Sequence, residues 1–346
     1  MAARGYVVTV VGATGAVGRQ VLTILESRRF PVRELRLAAS ARSAGRRVDG
    51  HVVRSLSEEV FEGCDLAVFD VPDAVSAEWV PRAAQAGAVV IDNAATFRLD
   101  PHVPLVIPEI NAEAVRHRPH GIIANPNCTT ATFLLPLAPL HRAYGLRRVV
   151  ACSYQSVSGA GQAGVEQLWA EMRAVVERGE PLSESLGAAF PHPIAMNVIP
   201  AIGSVREGDH TSEEVKAAAE SRKILDHPTL ELGITCVRVP TLVGHAVAVH
   251  ATFERTPDPA EARRILRSAP GIEVVDEPRA SRYPTPLGAA ARDPAYVGRI
   301  RLDGAGNLAF FVVADNLRKG AALNAVQVAE TLITLDPNFN ARPARI

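Results

Sequence analysis

Short apolar runs alternate with polar segments along the first 125 residues of the chain. Tyr6 to Val11 is a β-branched run, and Val17, Val21 and Leu25 follow it at helical spacing, which predicts a strand, a glycine turn and a helix. The same alternation continues through a helical segment at Ser76 to Ala86 and further strand candidates at Leu35 to Ala39, Asp65 to Asp70, Ala88 to Ile91 and Gly121 to Ala124. This order predicts a parallel, doubly wound sheet.

The pattern changes after about residue 144. Longer strand candidates follow at Val149 to Val157, Ile234 to Val239, Ala246 to Arg255 and Gly298 to Ala314, the last split by a turn at 303–307. Such strands favour an antiparallel or mixed sheet. The residues from Ala321 to Leu335 have helical periodicity, and a helix there is expected to return to the first domain.

With 346 residues, the chain is long enough for two cores. We therefore expect an α/β protein in which a Rossmann-like doubly wound sheet is joined to an α+β catalytic and dimerisation domain with a mixed, largely antiparallel sheet. The first domain is expected to span residues 1–127 together with a C-terminal helix at about 320–346, and the second to span 128–319.

Composition excludes several classes of partner. Lys+Arg and Asp+Glu both number 37, so no net charge attracts nucleic acid or an anionic membrane. No apolar stretch reaches the roughly 18 residues of a membrane span, and the N-terminus runs directly into a strand, so a soluble, cytoplasmic protein is expected. The four cysteines show no Cys-x-x-Cys spacing, and we predict neither a disulfide framework nor a metal site.

A glycine-rich turn joins the first strand to the first helix. Its spacing, Gly12-x-x-Gly15-x-x-Gly18, suits a pyrophosphate at a helix N-terminus, and Gly12, Thr14, Gly15, Ala16 and Val17 are the candidate cofactor-binding residues. A glycine turn that binds no ligand is the alternative.

The end of the second strand indicates which dinucleotide binds. An NAD site usually carries an acidic residue there, but this chain has Ser40, Arg42 and Ser43 and no carboxylate. An arginine between two serines suits a 2′-phosphate, which predicts NADP rather than NAD. The alternative for Arg42 is an exposed basic loop.

Cys128 lies at a second strand-to-helix turn, in Asn-Pro-Asn-Cys-Thr-Thr. The free N–H groups and the dipole of a helix N-terminus favour a thiolate, and Asn127 is a candidate N-cap or oxyanion donor. A buried cysteine that only packs is the alternative, because that is the commoner role of this residue type. Cys64, Cys152 and Cys236 occupy positions that suit structural thiols.

Three further side chains have settings that suggest chemistry. His245 follows a glycine at the break between two apolar strands, which suits an acid or base, with a core histidine as the alternative. Arg238 lies within an apolar strand and Arg98 follows a parallel strand, so each needs an anion: a substrate group, or an internal carboxylate in a structural ion pair.

Together these residues resemble the aspartate-β-semialdehyde dehydrogenases over nearly the whole chain. The resemblance rests on eight segments in the same order: Gly-Ala-Thr-Gly-Ala-Val-Gly at 12–18, Ser-Ala-Arg-Ser-Ala-Gly at 40–45, Asp-Asn-Ala-Ala-Thr-Phe-Arg at 92–98, Asn-Pro-Asn-Cys-Thr-Thr at 125–130, Gln-Ser-Val-Ser-Gly-Ala-Gly at 155–161, Glu-Glu-Val-Lys at 213–216, Arg-Val-Pro-Thr-Leu-Val-Gly-His at 238–245 and Asp-Asn-Leu-Arg-Lys-Gly-Ala-Ala at 315–322. Val215 is one departure, since many relatives carry a bulkier residue there.

The resemblance implies a role for each matching residue. Cys128 is the expected thioester-forming nucleophile and His245 the expected general acid/base. The remaining roles it implies are orientation of the acyl carbon by Gln155 and Asn127, phosphate binding by Arg98 and Lys216, binding of the substrate α-carboxylate by Arg238 and of its α-amino group by Glu213, and contact with the nicotinamide end of NADP by Ser158, Gly159 and Asn316. No metal is expected.

The implied reaction is the reversible, NADP-dependent reduction of aspartyl 4-phosphate to aspartate 4-semialdehyde with release of phosphate. In this family it serves the biosynthesis of lysine (through diaminopimelate), methionine, threonine and isoleucine. The resemblance also implies a homodimer or homotetramer.

Two classes of rival remain open at this point. N-acetyl-γ-glutamyl-phosphate reductases share the architecture but usually have Pro-Gly-Cys before an aromatic residue, and glyceraldehyde-phosphate dehydrogenases use Ser-Cys-Thr-Thr-Asn, which this chain lacks. A non-catalytic NADP-binding protein is the rival from another class, although it would be expected to lose Cys128 or His245.

Overall fold

A computed structural model describes residues 5–339 of the chain. Contacts between Cα atoms divide them into a first unit, residues 5–127 with 321–339, and a second unit, residues 128–320. The strands are β1 (Tyr6–Val11), β2 (Val32–Ala39), β3 (Arg47–Val48), β4 (His51–Ser55), β5 (Leu66–Phe69), β6 (Val89–Asp92), β7 (Ile122–Ala124), β8 (Leu146–Gln155), β9 (Glu231–Arg238), β10 (His245–Phe253), β11 (Ile272–Val274), β12 (Ala295–Leu302) and β13 (Leu308–Ala314). The helices are α1 (Ala16–Ser27), α2 (Asp73–Gln85), α3 (Pro108–Asn111), α4 (Cys128–Tyr144), α5 (Gly161–Arg178), α6 (Ser212–Ile224), α7 (Pro259–Ser268), α8 (Pro286–Ala289) and α9 (Leu323–Leu335).

The first unit is built on a seven-stranded sheet in the order β3-β4-β2-β1-β5-β6-β7. All neighbouring strands are parallel except β3, which pairs antiparallel with β4. The parallel, doubly wound sheet that the hydrophobic pattern predicts is therefore confirmed. The strands β3 and β4 were not predicted. Strand β3 has only two residues, and β4 buries Val53 alone, so neither shows an alternating apolar pattern.

Helix α9 contributes its apolar side to the core of this unit. Leu323, Val326 and Leu332 are buried there with Val10 of β1 and Ile24 of α1. The helix ends at Leu335, and residues 340–346, which the predicted C-terminal segment includes, lie outside the described part of the chain.

The second unit is built on a six-stranded sheet in the order β11-β12-β13-β10-β8-β9. The central pairs, β12 with β13, β13 with β10 and β10 with β8, are antiparallel, and the outer pairs β11 with β12 and β8 with β9 are parallel. This confirms the mixed sheet. Strand β8 ends at Gln155 rather than at Val157, because Val157 already belongs to a short 3₁₀ turn.

Pairing in this sheet brings four chain segments together at one edge. Gln155 at the end of β8 is in register with Arg238 at the end of β9. His245 at the start of β10 is in register with Ala314 at the end of β13, and the next residue of β10 pairs with Tyr154 of β8. Polar side chains that are more than 80 residues apart in sequence therefore lie side by side.

The loop that follows α5 is held by a buried carboxylate. Glu171 of α5 accepts hydrogen bonds from the backbone N–H groups of Ile194 (2.6 Å) and Ala195 (3.0 Å) and from Gln167 (2.8 Å). The same loop pairs with β9, because the backbone of Ile199 exchanges hydrogen bonds with that of Arg238 at 3.0 and 2.8 Å. Glu171 thus fixes the segment that runs beside Arg238.

None of the helices between residues 5 and 339 combines the length and the hydropathy that a bilayer crossing needs.

We predict that Glu171→Ala lowers the free energy of unfolding by about 3 kcal/mol, because it leaves several buried N–H donors without an acceptor. Urea denaturation of the variant measures this loss. The matched control is Glu177→Ala, at an exposed position of the same helix, which is expected to change stability by less than about 0.5 kcal/mol. Equal effects of the two substitutions would contradict the stabilising role of the Glu171 hydrogen bonds.

Candidate active site

Cys128 is the first residue of α4, as the sequence predicts, and its side chain is half-buried. The first turn of the helix contains no acidic residue, so nothing there opposes a negative charge on sulfur. Gly320 packs directly against it: a Cβ atom at position 320 would lie 2.8 Å from the Cβ of Cys128. A glycine at 320 therefore leaves room for the start of α4.

The other three cysteines are poor candidates for a nucleophile. Burial raises the pKa of Cys64, of Cys152 and of Cys236, and a thiol is far less nucleophilic than a thiolate. All four cysteines are present as thiols rather than disulfides. The structural role that the sequence suggests for these three agrees with their surroundings.

Helix α6 brings Glu213 to Gln155. The helix begins with a capping box in which Thr211 accepts from the N–H of Glu214 and the Glu214 carboxylate accepts from the N–H of Thr211. The preceding residue, Glu213, accepts a hydrogen bond of 3.0 Å from the side-chain amide nitrogen of Gln155. Lys216 follows Glu213 by three positions, which places both on the same side of α6.

Arg238 is buried at the end of β9, with 6% of its surface exposed. Its Nη1 donates a hydrogen bond of 2.6 Å to the backbone carbonyl of Ser156, and its guanidinium carbon lies 5.8 Å from the centre of the Phe190 ring. Burial lowers the pKa of Arg238, while the charges of Cys128 and Glu213 act in the opposite direction. The guanidinium thus pairs with a carbonyl and remains a strong positive charge in a nearly dry site.

His245 is completely buried. Its Nδ1 accepts a hydrogen bond of 3.1 Å from the N–H of Ser156, and its Nε2 has no hydrogen-bond partner among the described residues. Gly159 lies beside this nitrogen: a Cβ there would be 3.2 Å from Nε2 and 2.8 Å from Nη1 of Arg238. A side chain at this position would collide with both His245 and Arg238, so glycine allows the backbone to pass close to them.

Ser158 and Asn316, which the resemblance assigns to the nicotinamide end of the cofactor, bond to each other. The amide nitrogen of Asn316 donates to the hydroxyl of Ser158 at 3.0 Å, and its oxygen accepts from the N–H of Gly244 at 2.9 Å. Both side chains are buried. Their contact with a cofactor stays a prediction.

The glycine-rich turn of the first unit has the shape that the sequence predicts. Gly12 has a φ of +87°, and a Cβ there would lie 2.0 Å from the carbonyl oxygen of Asp70. A Cβ at Gly18 would lie 2.4 Å from the carbonyl oxygen of Gly12. Helix α1 has Gly15 as its N-cap, no side-chain cap and no acidic residue in its first turn. The turn, which includes the partly exposed Thr14, Ala16 and Val17, therefore fits a dinucleotide pyrophosphate.

The residues after β2 also lie where the sequence predicts. Ala41–Ser43 form a 3₁₀ turn that Ser40 precedes. Ser40 and Arg42 are exposed, and Ser43 is buried. The turn contains no acidic residue, so the cationic side chain of Arg42 is available to an anionic group.

Arg98 and Asn127 also belong to the first unit. Arg98 is buried and donates a hydrogen bond of 2.6 Å to the carbonyl of Asn93. Asn127 is buried directly before Cys128 in the chain. Their roles toward phosphate and the acyl oxygen stay predictions.

Sequence reasoning did not single out Ser156, Gly320 and Asp70 as site residues. Ser156 contacts both His245 and Arg238, and Asp70 lies beside the glycine-rich turn, where its carboxylate would be 3.7 Å from a Cβ at Gly15. The first two lie in the segments 155–161 and 315–322 that carry the resemblance, which was the only available signal. The described residues contain no group of three or more His, Cys, Asp or Glu side chains that could hold a metal ion.

Comparison with known proteins gives matches over almost the full length. Residues 7–118 match the model of the semialdehyde dehydrogenase NAD binding domain, and residues 137–319 match that of the semialdehyde dehydrogenase dimerisation domain. The aspartate-semialdehyde dehydrogenase of Aquifex aeolicus is 45% identical over 338 residues, which cover 95% of this chain and 98% of that protein. That of Streptomyces akiyoshiensis is 47% identical over 334 residues, covering 93% and 97%.

A solved structure is similar as well. The crystal structure of aspartate semialdehyde dehydrogenase II from Vibrio cholerae, complexed with ASA, superimposes with a TM-score of 0.90 at 41% identity and covers 96% of this chain and 99% of that chain.

The carboxyl group of Asp70 gives a pH-dependent prediction. Burial raises its pKa from 3.8 to about 6, assisted by the charge of Asp92 and opposed by a hydrogen bond from Asn93. A raised pKa means that the folded protein holds this proton more tightly, so the group costs stability as pH rises from about 4 to about 6. Asp70→Asn is therefore expected to raise the free energy of unfolding at pH 7.5 by about 1–2 kcal/mol and to change it little at pH 4.

Denaturation at the two pH values measures this difference. Asp73→Asn, at the start of α2, is the matched control. A stabilisation by Asp70→Asn that is the same at both pH values would contradict the ionisation argument.

Proposed function

The chain belongs to the aspartate-semialdehyde dehydrogenase family, and on that basis we propose that it catalyses the reversible, NADP-dependent reductive dephosphorylation of aspartyl 4-phosphate to aspartate 4-semialdehyde. The observation that carries the proposal is the composition of the second unit. Cys128 begins a helix in the same unit that buries Arg238 and His245 and joins Gln155 to Glu213. Those side chains suit a thioester mechanism on an amino acid.

Arg238 and Glu213 are the proposed binding groups for the α-carboxylate and the α-amino group of the substrate. A guanidinium binds a carboxylate in a bidentate manner, and a carboxylate binds an ammonium group. The two side chains lie close enough to interact electrostatically. The charge of Glu213 raises the pKa of Arg238, whereas burial lowers it. An N-acetylated substrate would present a neutral amide to Glu213, so this pairing favours aspartyl phosphate over N-acetyl-γ-glutamyl phosphate.

The first chemical step is assigned to Cys128. Its thiolate attacks the acyl carbon of the substrate, the carbon–oxygen bond to phosphate breaks, and a thioester forms. The phosphate leaves with the electron pair of that bond and takes up a proton from solvent. Arg98 and Lys216 are the proposed cationic groups that bind it.

The glycine-rich turn and the Ser40–Ser43 segment are the proposed NADP site. The bare backbone of Gly12 to Gly18 suits the pyrophosphate, and Arg42 between two serines suits the 2′-phosphate. When bound, NADPH supplies the hydride that reduces the thioester.

The residues of the second unit then complete the reaction. Reduction leaves a negative charge on the former carbonyl oxygen, and His245 and Asn127 are the proposed donors that stabilise it. When the carbon–sulfur bond breaks, the aldehyde is released and Cys128 recovers its thiolate. Gln155, held by Glu213 and Ser153, is the proposed residue that orients the acyl carbon.

We further propose a homo-oligomer formed through the six-stranded sheet. Along β8, Val150 and Tyr154 are exposed and Cys152 is partly exposed, while the alternating residues Ala151 and Ser153 are buried, so one face of the sheet is open to solvent. Phe311 of β13 lies 6.1 Å from Tyr154, ring centre to ring centre, and extends this apolar face. A cytoplasmic location is the proposal that fits four cysteines present as thiols.

The proposed function predicts phosphate-dependent reduction of NADP by aspartate semialdehyde, followed by absorbance. Cys128→Ala is expected to lower kcat by about 10⁴-fold while NADP affinity changes less than about 2-fold, because the cofactor contacts lie elsewhere. Cys152→Ala, which removes another partly exposed thiol, is the control and is expected to retain turnover.

Two results would contradict this proposal. Turnover with N-acetylglutamate semialdehyde but not with aspartate semialdehyde would favour the other acyl-phosphate reductase. Tight NADP binding with no turnover of either aldehyde would favour a protein that only binds the cofactor.

Arg42 gives a separate prediction on cofactor choice. Arg42→Ala is expected to raise the Kd for NADP by about 10-fold, or about 1.4 kcal/mol, and to leave the Kd for NAD unchanged, because only NADP carries the 2′-phosphate. Fluorescence titration measures both constants. Arg46→Ala, an exposed arginine four residues further on, is the control. Equal weakening of NAD and NADP by Arg42→Ala would show that this residue does not bind the 2′-phosphate.

A further inference from the structure

Ser156 contacts two proposed functional side chains through its backbone. Its N–H donates to Nδ1 of His245 at 3.1 Å, and its carbonyl accepts from Nη1 of Arg238 at 2.6 Å. The residue lies between the end of β8 and the 3₁₀ turn Val157–Ala160, and it is completely buried. One peptide segment therefore orients both the imidazole and the guanidinium.

The N–H of Ser156 determines which nitrogen of His245 carries the proton. A backbone N–H is always a donor, so Nδ1 must be an acceptor and cannot itself carry hydrogen. A neutral imidazole has one N–H, which is then at Nε2. Turning the ring over would place a carbon against the N–H of Ser156 and leave that buried donor without an acceptor, which is costly.

The ring is also held in its neutral form. Burial, and secondly the positive charge of Arg238, lower the pKa of His245 to about 3, and a backbone hydrogen bond with Gly244 acts in the opposite direction. Arg238 is the charged group that acts on the pKa of this ring. A protonated ring would need a hydrogen on Nδ1, facing the N–H of Ser156, so geometry and electrostatics favour the same state.

The Nε2–H group has no acceptor within the described part of the protein. Nε2 is buried and without a hydrogen-bond partner among the described residues, whereas buried polar atoms in folded proteins are nearly always paired. It lies beside the backbone of Gly159, which also packs against Arg238. A ligand atom that accepts a hydrogen bond would satisfy it.

We propose that Ser156 is a positioning residue that holds His245 as the neutral Nε2–H tautomer, and that this N–H donates a hydrogen bond to the acyl oxygen of the substrate. His245 then stabilises the negative charge on that oxygen without transferring a full proton, and the charge disappears when the carbon–sulfur bond breaks. The identity of the accepting oxygen rests on the proposed function, whereas the tautomer does not.

The hydroxyl of Ser156 keeps the residue in place. It donates to the side-chain oxygen of Asn316 at 3.0 Å and lies 3.1 Å from the hydroxyl of Ser158 and 3.2 Å from Nδ1 of His245. The same oxygen of Asn316 accepts from the N–H of Gly244, the residue before His245. The side-chain amide of Asn316 therefore binds both Ser156 and the residue that precedes His245.

Nitrogen-15 NMR of the histidine-labelled full-length protein tests the tautomer. The His245 signals are assigned by their loss in His245→Gln. The expected spectrum shows hydrogen on Nε2, an acceptor at Nδ1 and no titration between about pH 5 and pH 9. Hydrogen on Nδ1, or a ring that titrates in this range, would overturn the proposal whatever the enzyme's substrate is.

Kinetics of two matched substitutions test the donor role. The side-chain nitrogen of Gln takes approximately the position of Nε2, and that of Asn the position of Nδ1, while neither group titrates. His245→Gln is expected to retain a kcat at least about 10-fold above that of His245→Asn. Equal loss in both folded variants would show that a titrating acid is required. If the wild-type protein has no turnover with aspartate semialdehyde, the proposed function fails, while NMR still decides the tautomer.

Variants of Ser156 test its positioning role. Ser156→Ala keeps the N–H but loses the hydroxyl, so kcat is expected to fall about 10-fold with unchanged NADP affinity, and Ser156→Thr is expected to restore most of it. The control is Ser221→Ala, which removes another buried hydroxyl, bonded at 2.6 Å to the carbonyl of Ala217, and is expected to lower stability alone. Unchanged kcat in Ser156→Ala would overturn the role of the hydroxyl.

Discussion

The second unit depends on one constraint: polar side chains that are removed from water must be hydrogen-bonded inside the protein or by a ligand. Gln155, Arg238 and His245 are all buried at one edge of the six-stranded sheet. Internal partners account for the amide of Gln155, for one nitrogen of Arg238 and for Nδ1 of His245. Nε2 of His245 is buried without a hydrogen-bond partner among the described residues, and it lies beside Gly159.

Sheet topology explains why these side chains meet. Parallel pairing of β8 with β9 places the carboxyl ends of both strands at one edge, and antiparallel pairing brings the start of β10 to the same edge. Each strand therefore contributes a polar residue at its end, where the apolar pattern stops. The buried parts of the strands thus determine where the polar residues at their ends lie.

The sequence was sufficient for the features that are local. Apolar periodicity predicts both sheets, because burial of one face imposes a repeat of two or 3.6 residues. Gly12 and Cys128 are recognisable because a strand, a turn and a helix surround them within a few residues. Ser156 and Glu171 could not be found this way. The N–H and carbonyl of Ser156 that contact His245 and Arg238 are groups that every residue type carries, and the backbone donors to Glu171 at Ile194 and Ala195 lie more than 20 residues away. Such roles follow from tertiary structure alone.

The central claim is that Cys128 forms a covalent bond to the substrate. Mass spectrometry of protein that is quenched in acid, after incubation with aspartate semialdehyde and NADP in the absence of phosphate, tests it most directly, because the thioester then has no phosphate to accept its acyl group. The account predicts one aspartyl group on the peptide that contains Cys128. No adduct, or an adduct on Cys64, Cys152 or Cys236, would contradict it.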